Sequence, residues 1–222
     1  MKKRTVLVTG AARGIGKAIS EKFAQAGYEV LAPSRTELDL SSDASVDNYL
    51  KRLEGLVDVI INNAGINRLG ELSEAKDNDI EDTLRIDLIS PLRLIRGIIP
   101  AMANQGYGRI VNISSIWGEV SKPGRGVYSI AKSGLNALTR SLAVELANNN
   151  ILVNSVSPGF VDTELTRQNN TPQQIETIRA QIPLGRLAGV KEIAEIVFFL
   201  GSDLNTYITG QNVIIDGGYT CL

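Results

Sequence analysis

The chain has 222 residues, 43% apolar and 21% charged, and its 23 Lys and Arg nearly balance 24 Asp and Glu for a formal net charge of −1. That length supports one domain with a sizeable core, and that charge excludes a nucleic-acid binder driven by phosphate neutralisation. The absence of histidine excludes Ser-His-Asp and Cys-His triads and histidine-ligated zinc.

Acid–base chemistry near neutral pH therefore falls to Tyr, Lys, Asp, Glu or Cys with shifted pKa values. The one cysteine, Cys221, allows no intrachain disulfide and fits a reducing, cytoplasmic setting. Residues 1–4 are basic, but the apolar run after them covers only 6–8, too short for a signal peptide or membrane span, so no membrane partner is expected.

In chain order, short β-branched runs predict strands at 5–9, 30–32, 57–62, 109–113, 151–156 and 212–215, with a shorter seventh at 38–40. Helical periodicity predicts helices at 15–25, 44–53, 79–104, 128–148 and 191–200. Pro91 should kink or interrupt the long middle helix, and Pro172 should start a short one. The expected fold is a single α/β domain spanning 1–222, doubly wound in the Rossmann manner. Its mostly parallel sheet should have about seven strands and helices on both faces.

The first strand ends in Thr9-Gly10-Ala11-Ala12-Arg13-Gly14-Ile15-Gly16. Glycines at a strand-to-helix turn let backbone approach a pyrophosphate, and the helix N-terminus presents free N–H groups; a plain tight turn is the alternative. After the third strand, Asn62-Asn63-Ala64-Gly65 leaves room for a flat ligand against backbone. Tyr128 and Lys132, at i and i+4, share a helix face, and a nearby ammonium favours phenolate. Ser115 could orient a carbonyl oxygen.

Taken together, TGAARGIG, NNAG, VNISSIWG, YSIAK, VSPGFVDT and ITGQNVIIDGG resemble the classical short-chain dehydrogenase/reductases, almost end to end. The nearest general resemblance is to 3-oxoacyl-carrier-protein reductases. By this resemblance Tyr128 is the general acid/base. Lys132 binds the nicotinamide ribose and supports the tyrosine. Ser115, rather than Ser114, is the catalytic serine. The cofactor-binding set is Gly10, Arg13, Gly14, Ile15, Gly16, Ser34, Arg35, Asp39, Leu40, Asn63, Ala64, Gly65, Tyr128, Lys132, Pro158, Gly159, Val161 and Thr163. No metal is implied.

Where NAD enzymes often carry a carboxylate for the ribose 2′-OH, this chain has Ser34 followed by Arg35. With Arg13 as a second cation, the expected cofactor is NADP(H) rather than NAD(H). Glu37 or Asp39 reaching the 2′-OH would reopen NAD.

Two positions depart from the family pattern. Asp87 stands where the fourth active-site residue is usually asparagine, bringing a negative charge toward Lys132 that should raise the pKa of both lysine and tyrosine. The link from Arg35 to Leu38-Asp39-Leu40 is short, which should open the adenine side.

Trp117, Glu119, Val120 and Lys122 are expected along the substrate cleft, with 163–183 as a polar lid. Leu88, Leu92, Ile95, Leu135 and Leu142 occupy more than one helix face, and a homo-oligomer, dimer or tetramer, is expected. The expected reaction is carbonyl reduction or its reverse on a small molecule, either a 3-oxoacyl thioester or a sugar-like ketone. Two rivals remain: a non-catalytic dinucleotide-binding regulator, and a sugar epimerase.

Overall fold

Six Val- and Ile-rich runs form six parallel strands: β1 (Thr5–Val8), β2 (Glu29–Leu31), β3 (Val59–Asn62), β4 (Gly108–Ile113), β5 (Ile151–Pro158) and β6 (Asn212–Ile215). The computed structural model describes residues 3–53 and 57–222; Met1 and Lys2 of the basic start lie outside the described residues. Strand order is β2-β1-β3-β4-β5-β6, with Leu7 opposite both Leu31 and Ile60, and Ile110 opposite Val153. The chain runs outward from β1 to β2 and then returns to β3 on the other side of β1. The carboxyl ends of β1 and β3 therefore flank the switch point where open α/β sheets bind ligands.

The period-2 alternation within each strand splits the core into two layers. Leu7, Ile60, Ile110 and Val153 face Leu94, Ile95, Ile98 and Met102 of α4 (Ser90–Gln105), Val46 of α2 (Asp43–Arg52) and Leu142 of α5 (Gly126–Leu146). Val6, Val8, Val59, Ile61 and Val111 face Ile19 and Phe23 of α1 (Gly14–Gln25) and Ile193, Val197 and Leu200 of α8 (Val190–Gly201). Among the described residues, no helix is long and apolar enough to cross a membrane.

The expected seventh strand does not form. The N–H groups of Glu37 and Leu38 donate to the Ser34 carbonyl, curling the chain into a turn that runs almost at once into α2. A segment so short, with its backbone donors turned inward, cannot lie along the free edge of β2. Leu38 and Leu40 are buried in the first core layer instead.

The long middle helix is three pieces: α3 (Asp77–Leu84), a π-helical turn (Arg85–Ile89) and α4. Pro91 sits in the first turn of α4 and has no N–H, so the carbonyl four residues earlier, on Asp87, loses its α-helical donor. The segment 163–183 folds as α6 (Glu164–Asn169) and α7 (Pro172–Gln181), the latter opened by a Thr171/Gln174 capping box ahead of Pro172.

Candidate active site

Thr9 organises the turn after β1. Its Oγ1 accepts the backbone N–H groups of Asn63 and Ala64, each at 3.0 Å. The Asn63 amide donates to the carbonyls of Thr9 (2.9 Å) and Gly10 (3.2 Å), so the second turn clamps the first. Asn62, by contrast, is buried and donates to Asn112 on β4 at 2.8 Å. A Cβ at Gly10, where φ is 67°, would lie 2.8 Å from the Ala64 Cα. At Gly16 it would lie 2.3 Å from the Gly10 carbonyl oxygen.

Bare backbone is thus required here, leaving N–H groups at the start of α1 open to an anion. Ala for Gly inside a helix ordinarily stabilises by about 0.5–1 kcal/mol. We expect Gly16→Ala to do the reverse, losing about 1–3 kcal/mol through forced backbone shifts and weakening dinucleotide affinity. Thermal melts and calorimetric titration check both; a raised Tm would overturn the packing argument.

These glycines line a cleft of about 470 Å³ together with Arg13, Ile15, Ser34, Arg35, Asp39, Leu40, Asn63, Ala64, Gly65 and Thr163. Ser34 and Arg35 stand at its far end. Both donors of Ser34 are engaged by a carboxylate: its N–H and Oγ reach Glu37 Oε2 at 2.8 and 2.7 Å. Those same bonds hold Glu37 below the usual carboxylate range. Arg35 is exposed and pairs loosely with Asp39 at 3.6 Å, while Arg13 pairs with Glu164 of α6 at 3.0 Å. The two expected phosphate-binding cations therefore each face an acid, exposed Glu164 for Arg13 and half-buried Asp39 for Arg35, that an incoming phosphate can displace.

At the other end, β4 delivers Ser115 and α5 delivers Tyr128 and Lys132. Ser115 caps the short 3₁₀ turn Ile116–Gly118, its Oγ accepting the Trp117 N–H at 3.2 Å. Ser114 instead donates to the Lys132 carbonyl at 3.2 Å, tying the strand end to α5. The Lys132 ammonium is buried, donates to the Ile113 carbonyl at 3.1 Å and lies 5.5 Å from the centre of the Tyr128 ring.

Asp87 reaches the same ammonium. Its Oδ2 is 3.2 Å from Lys132 Nζ, its Oδ1 accepts the Ile66 N–H at 2.8 Å, and it is 0% exposed. Burial pushes the Asp87 carboxyl up, against the opposing pull of Lys132. For Lys132, burial works downward but the Asp87 and Tyr128 charges outweigh it, and the net shift is upward. Burial raises Tyr128 as well; Lys132 opposes the rise, Asp87 adds to it, and a hydrogen bond with Ser115 and the charge of Arg125 oppose it.

The remaining expected residues fall into two groups. A Cβ at Gly159 would lie 2.7 Å from Asp216 Cβ, so the backbone after Pro158 runs close against the C-terminal strand end. Val161 is buried in the second core layer and leaves only backbone to a ligand, whereas Thr163 caps α6 and faces Gly14. Trp117, expected along the cleft, is 6% exposed and packs edge-on against Phe160 and Tyr219. Glu119 Oε1 accepts from both Asn136 and Asn212 at 2.8 Å, tying α5 to β6.

Sequence reasoning missed Thr9, Asn136 and Arg125. Continuing the Tyr128–Lys132 face by four residues would have found Asn136. No spacing rule marks the other two.

The family model described as Enoyl-(Acyl carrier protein) reductase matches residues 32–220, and that described as short chain dehydrogenase matches residues 4–44. The 3-oxoacyl-(acyl-carrier-protein) reductase FabG of Escherichia coli is 38% identical, with 97% of this chain and 96% of that protein covered. A gluconate 5-dehydrogenase from Burkholderia cenocepacia, in complex with NADP and tartrate, superposes with a TM-score of 0.94 at 26% identity, covering 100% of this chain and 97% of that one. A 4-hydroxyisoleucine dehydrogenase complexed with NADH gives 0.94 at 28% identity, covering 99% of this chain and 100% of that one.

Proposed function

This chain belongs to the short-chain dehydrogenase/reductase family and is an oxidoreductase, and from that premise we propose that it interconverts a carbonyl and an alcohol with NADP(H), using Tyr128 as the acid/base. The observation that carries the reading is the convergence of Ser115, Tyr128 and the buried Lys132 at the carboxyl end of β4.

The bare-backbone cradle at Gly10 and Gly16 fits a pyrophosphate, and Arg35 fits a ribose phosphate, joined by Ser34 once Glu37 gives up its donors. When bound, the nicotinamide supplies or takes the hydride. Tyr128 holds the proton that passes to or from the substrate oxygen at its Oη, and the Ser115 hydroxyl donates to the same oxygen. Lys132 favours phenolate by charge and offers its ammonium to a ribose hydroxyl. Asp87 acts on the proton transfer through Lys132. Pro158, Gly159 and Thr163 orient the carboxamide, and α6 and α7 form the lid.

Two substrate classes follow from the neighbours: a 3-oxoacyl thioester and a hydroxylated, sugar-like ketone. Initial rates of NADPH oxidation against a panel drawn from both test the reading. No turnover with any member, alongside normal cofactor binding, would favour the non-catalytic rival. Bound dinucleotide in purified protein, retained through turnover, would favour the epimerase.

Cofactor choice has its own test. Arg35→Ala should lower the NADPH/NADH ratio of kcat/KM by about tenfold to a hundredfold, the worth of one lost charge-assisted bond. Glu37→Gln should raise that ratio, because it removes an ionised carboxylate from the Ser34 donors. Unchanged ratios in both would remove Arg35 and Ser34 as the ground for expecting NADP(H).

We also expect a cytoplasmic homo-oligomer. Of the apolar residues considered for a subunit contact, Ile95, Leu135 and Leu142 are in the core, and Leu88 packs on Gly134; Leu92 is exposed, as are Ile130 and Val144 on α5. Light scattering reads the assembly directly.

A further inference from the structure

The loop between Ser115 and α5 carries two cations that the reaction does not use. In Lys122-Pro123-Gly124-Arg125, proline at the second position and glycine with φ of 78° at the third are the pattern of a type II turn. The Arg125 N–H closes it on the Lys122 carbonyl at 3.2 Å. Such a turn brings its first and fourth residues together, and here both charges sit over one ring. Lys122 Nζ is 5.2 Å and the Arg125 guanidinium 5.3 Å from the centre of Trp117.

Among the described residues, neither cation has a carboxylate within ion-pair distance. Arg125 is half-buried, and its Nη1 is buried without a hydrogen-bond partner. Burial lowers the pKa of both, Arg125 lowers that of Lys122 further, and the Arg125 charge reaches the Tyr128 phenol. Two like charges, a half-buried guanidinium three residues before the proton donor and an exposed ammonium beside the same ring, are thus held uncompensated among the described residues. Such an arrangement destabilises the free protein and is relieved when an anion arrives. The Trp117 ring contributes a cation–π shelf that holds the pair in position but adds no full negative charge.

We propose that Lys122 and Arg125 form an anion-recognition site that holds a carboxylate or phosphate of the substrate while its carbonyl lies at Ser115 and Tyr128. This rests on the carbonyl-reductase reading and narrows it: the substrate carries an acidic group near its reacting carbon. Arg125 offers a planar fork of donors and Lys122 a mobile point charge, a combination that takes either oxyanion.

The single tryptophan of the chain is the shelf itself, so it reports occupancy without turnover. Tartrate, inorganic phosphate and, for ionic strength, sodium chloride are titrated into the full-length protein while Trp117 emission is followed. The expected result is a saturable change with tartrate or phosphate and none with chloride. The tartrate arm identifies a carboxylate site and the phosphate arm a phosphate site. In Arg125→Met and Lys122→Met, with unchanged circular dichroism, the apparent Kd should weaken by about tenfold or more. No saturable change, or equal affinity in the variants, overturns the proposal.

A kinetic arm separates this idea from its premise. 5-Ketogluconate is compared with the neutral fructose, and dihydroxyacetone phosphate with dihydroxyacetone. Arg125→Met should raise KM for the charged member of a pair and spare the neutral one. Failure of every ketone to turn over would sink the reductase reading while leaving the titration to decide the anion site.

Discussion

Replacing Tyr128 with phenylalanine is expected to lower kcat for carbonyl reduction by about 10²–10⁴-fold, the usual worth of a positioned general acid. The substitution removes one hydroxyl and keeps the ring. The ring's contact with the Lys132 ammonium, at 5.5 Å, survives, and so does α5, which is built on Leu135 and Leu142 rather than on the phenol. Thermal stability and cofactor affinity should therefore stay near wild type while turnover collapses. Steady-state NADPH oxidation, run beside cofactor titration, checks the split. Retention of more than about a tenth of wild-type kcat would assign the proton to another group.

The second large effect concerns the buried pair of Lys132 and Asp87. Lys132→Met leaves a carboxylate at 0% exposure with no cation beside it, which at neutral pH should cost about 3–5 kcal/mol of stability. The sign of its pH dependence follows from linkage. Burial raises the folded-state pKa of Asp87, and losing Lys132 removes the largest opposing influence. A carboxyl with a raised folded pKa is best tolerated protonated, so the deficit should shrink as pH falls and grow as pH rises through that pKa. Denaturant melts across the acidic range measure it. A deficit independent of pH would mean that packing, not charge, carries the loss.

Activity profiles should move in opposite directions in two variants of the same pair. Asp87 pushes the Tyr128 phenol up and Lys132 holds it down. Asp87→Asn should thus shift the pH–rate profile to lower pH. In alcohol oxidation the phenolate base forms sooner, and in carbonyl reduction the phenol acid is lost sooner. Residual activity of Lys132→Met should shift to higher pH. Profiles of wild type and Asp87→Asn that superimpose would leave Asp87 a packing role only, with its carboxylate bound to the Ile66 N–H.

The sequence alone determined the elements and their layering. Runs such as 6–8 are apolar on both faces, which suits a strand covered on both sides, and alternation with helical periods makes the sheet parallel. It also determined the glycine turn and the Tyr128–Lys132 pair, because a turn's steric demands and an i, i+4 spacing are settled within a few residues. Tertiary structure alone decided the rest. The 38–40 segment lost its strand to a turn fixed by the Ser34 carbonyl. The approach of Asp87 to Lys132 was expected from the family resemblance, but its full burial and its bond to the Ile66 N–H came from the π-helical turn before Pro91 lying against α5, and Glu37 took the donors of Ser34. Lys122 and Arg125 came together over Trp117 with no carboxylate in ion-pair range among the described residues. Each of these depends on which side chains meet across a turn or a crossover. Local propensity does not encode that, since the energy of a charge is set by neighbours distant in the chain and by how much water the packed elements exclude.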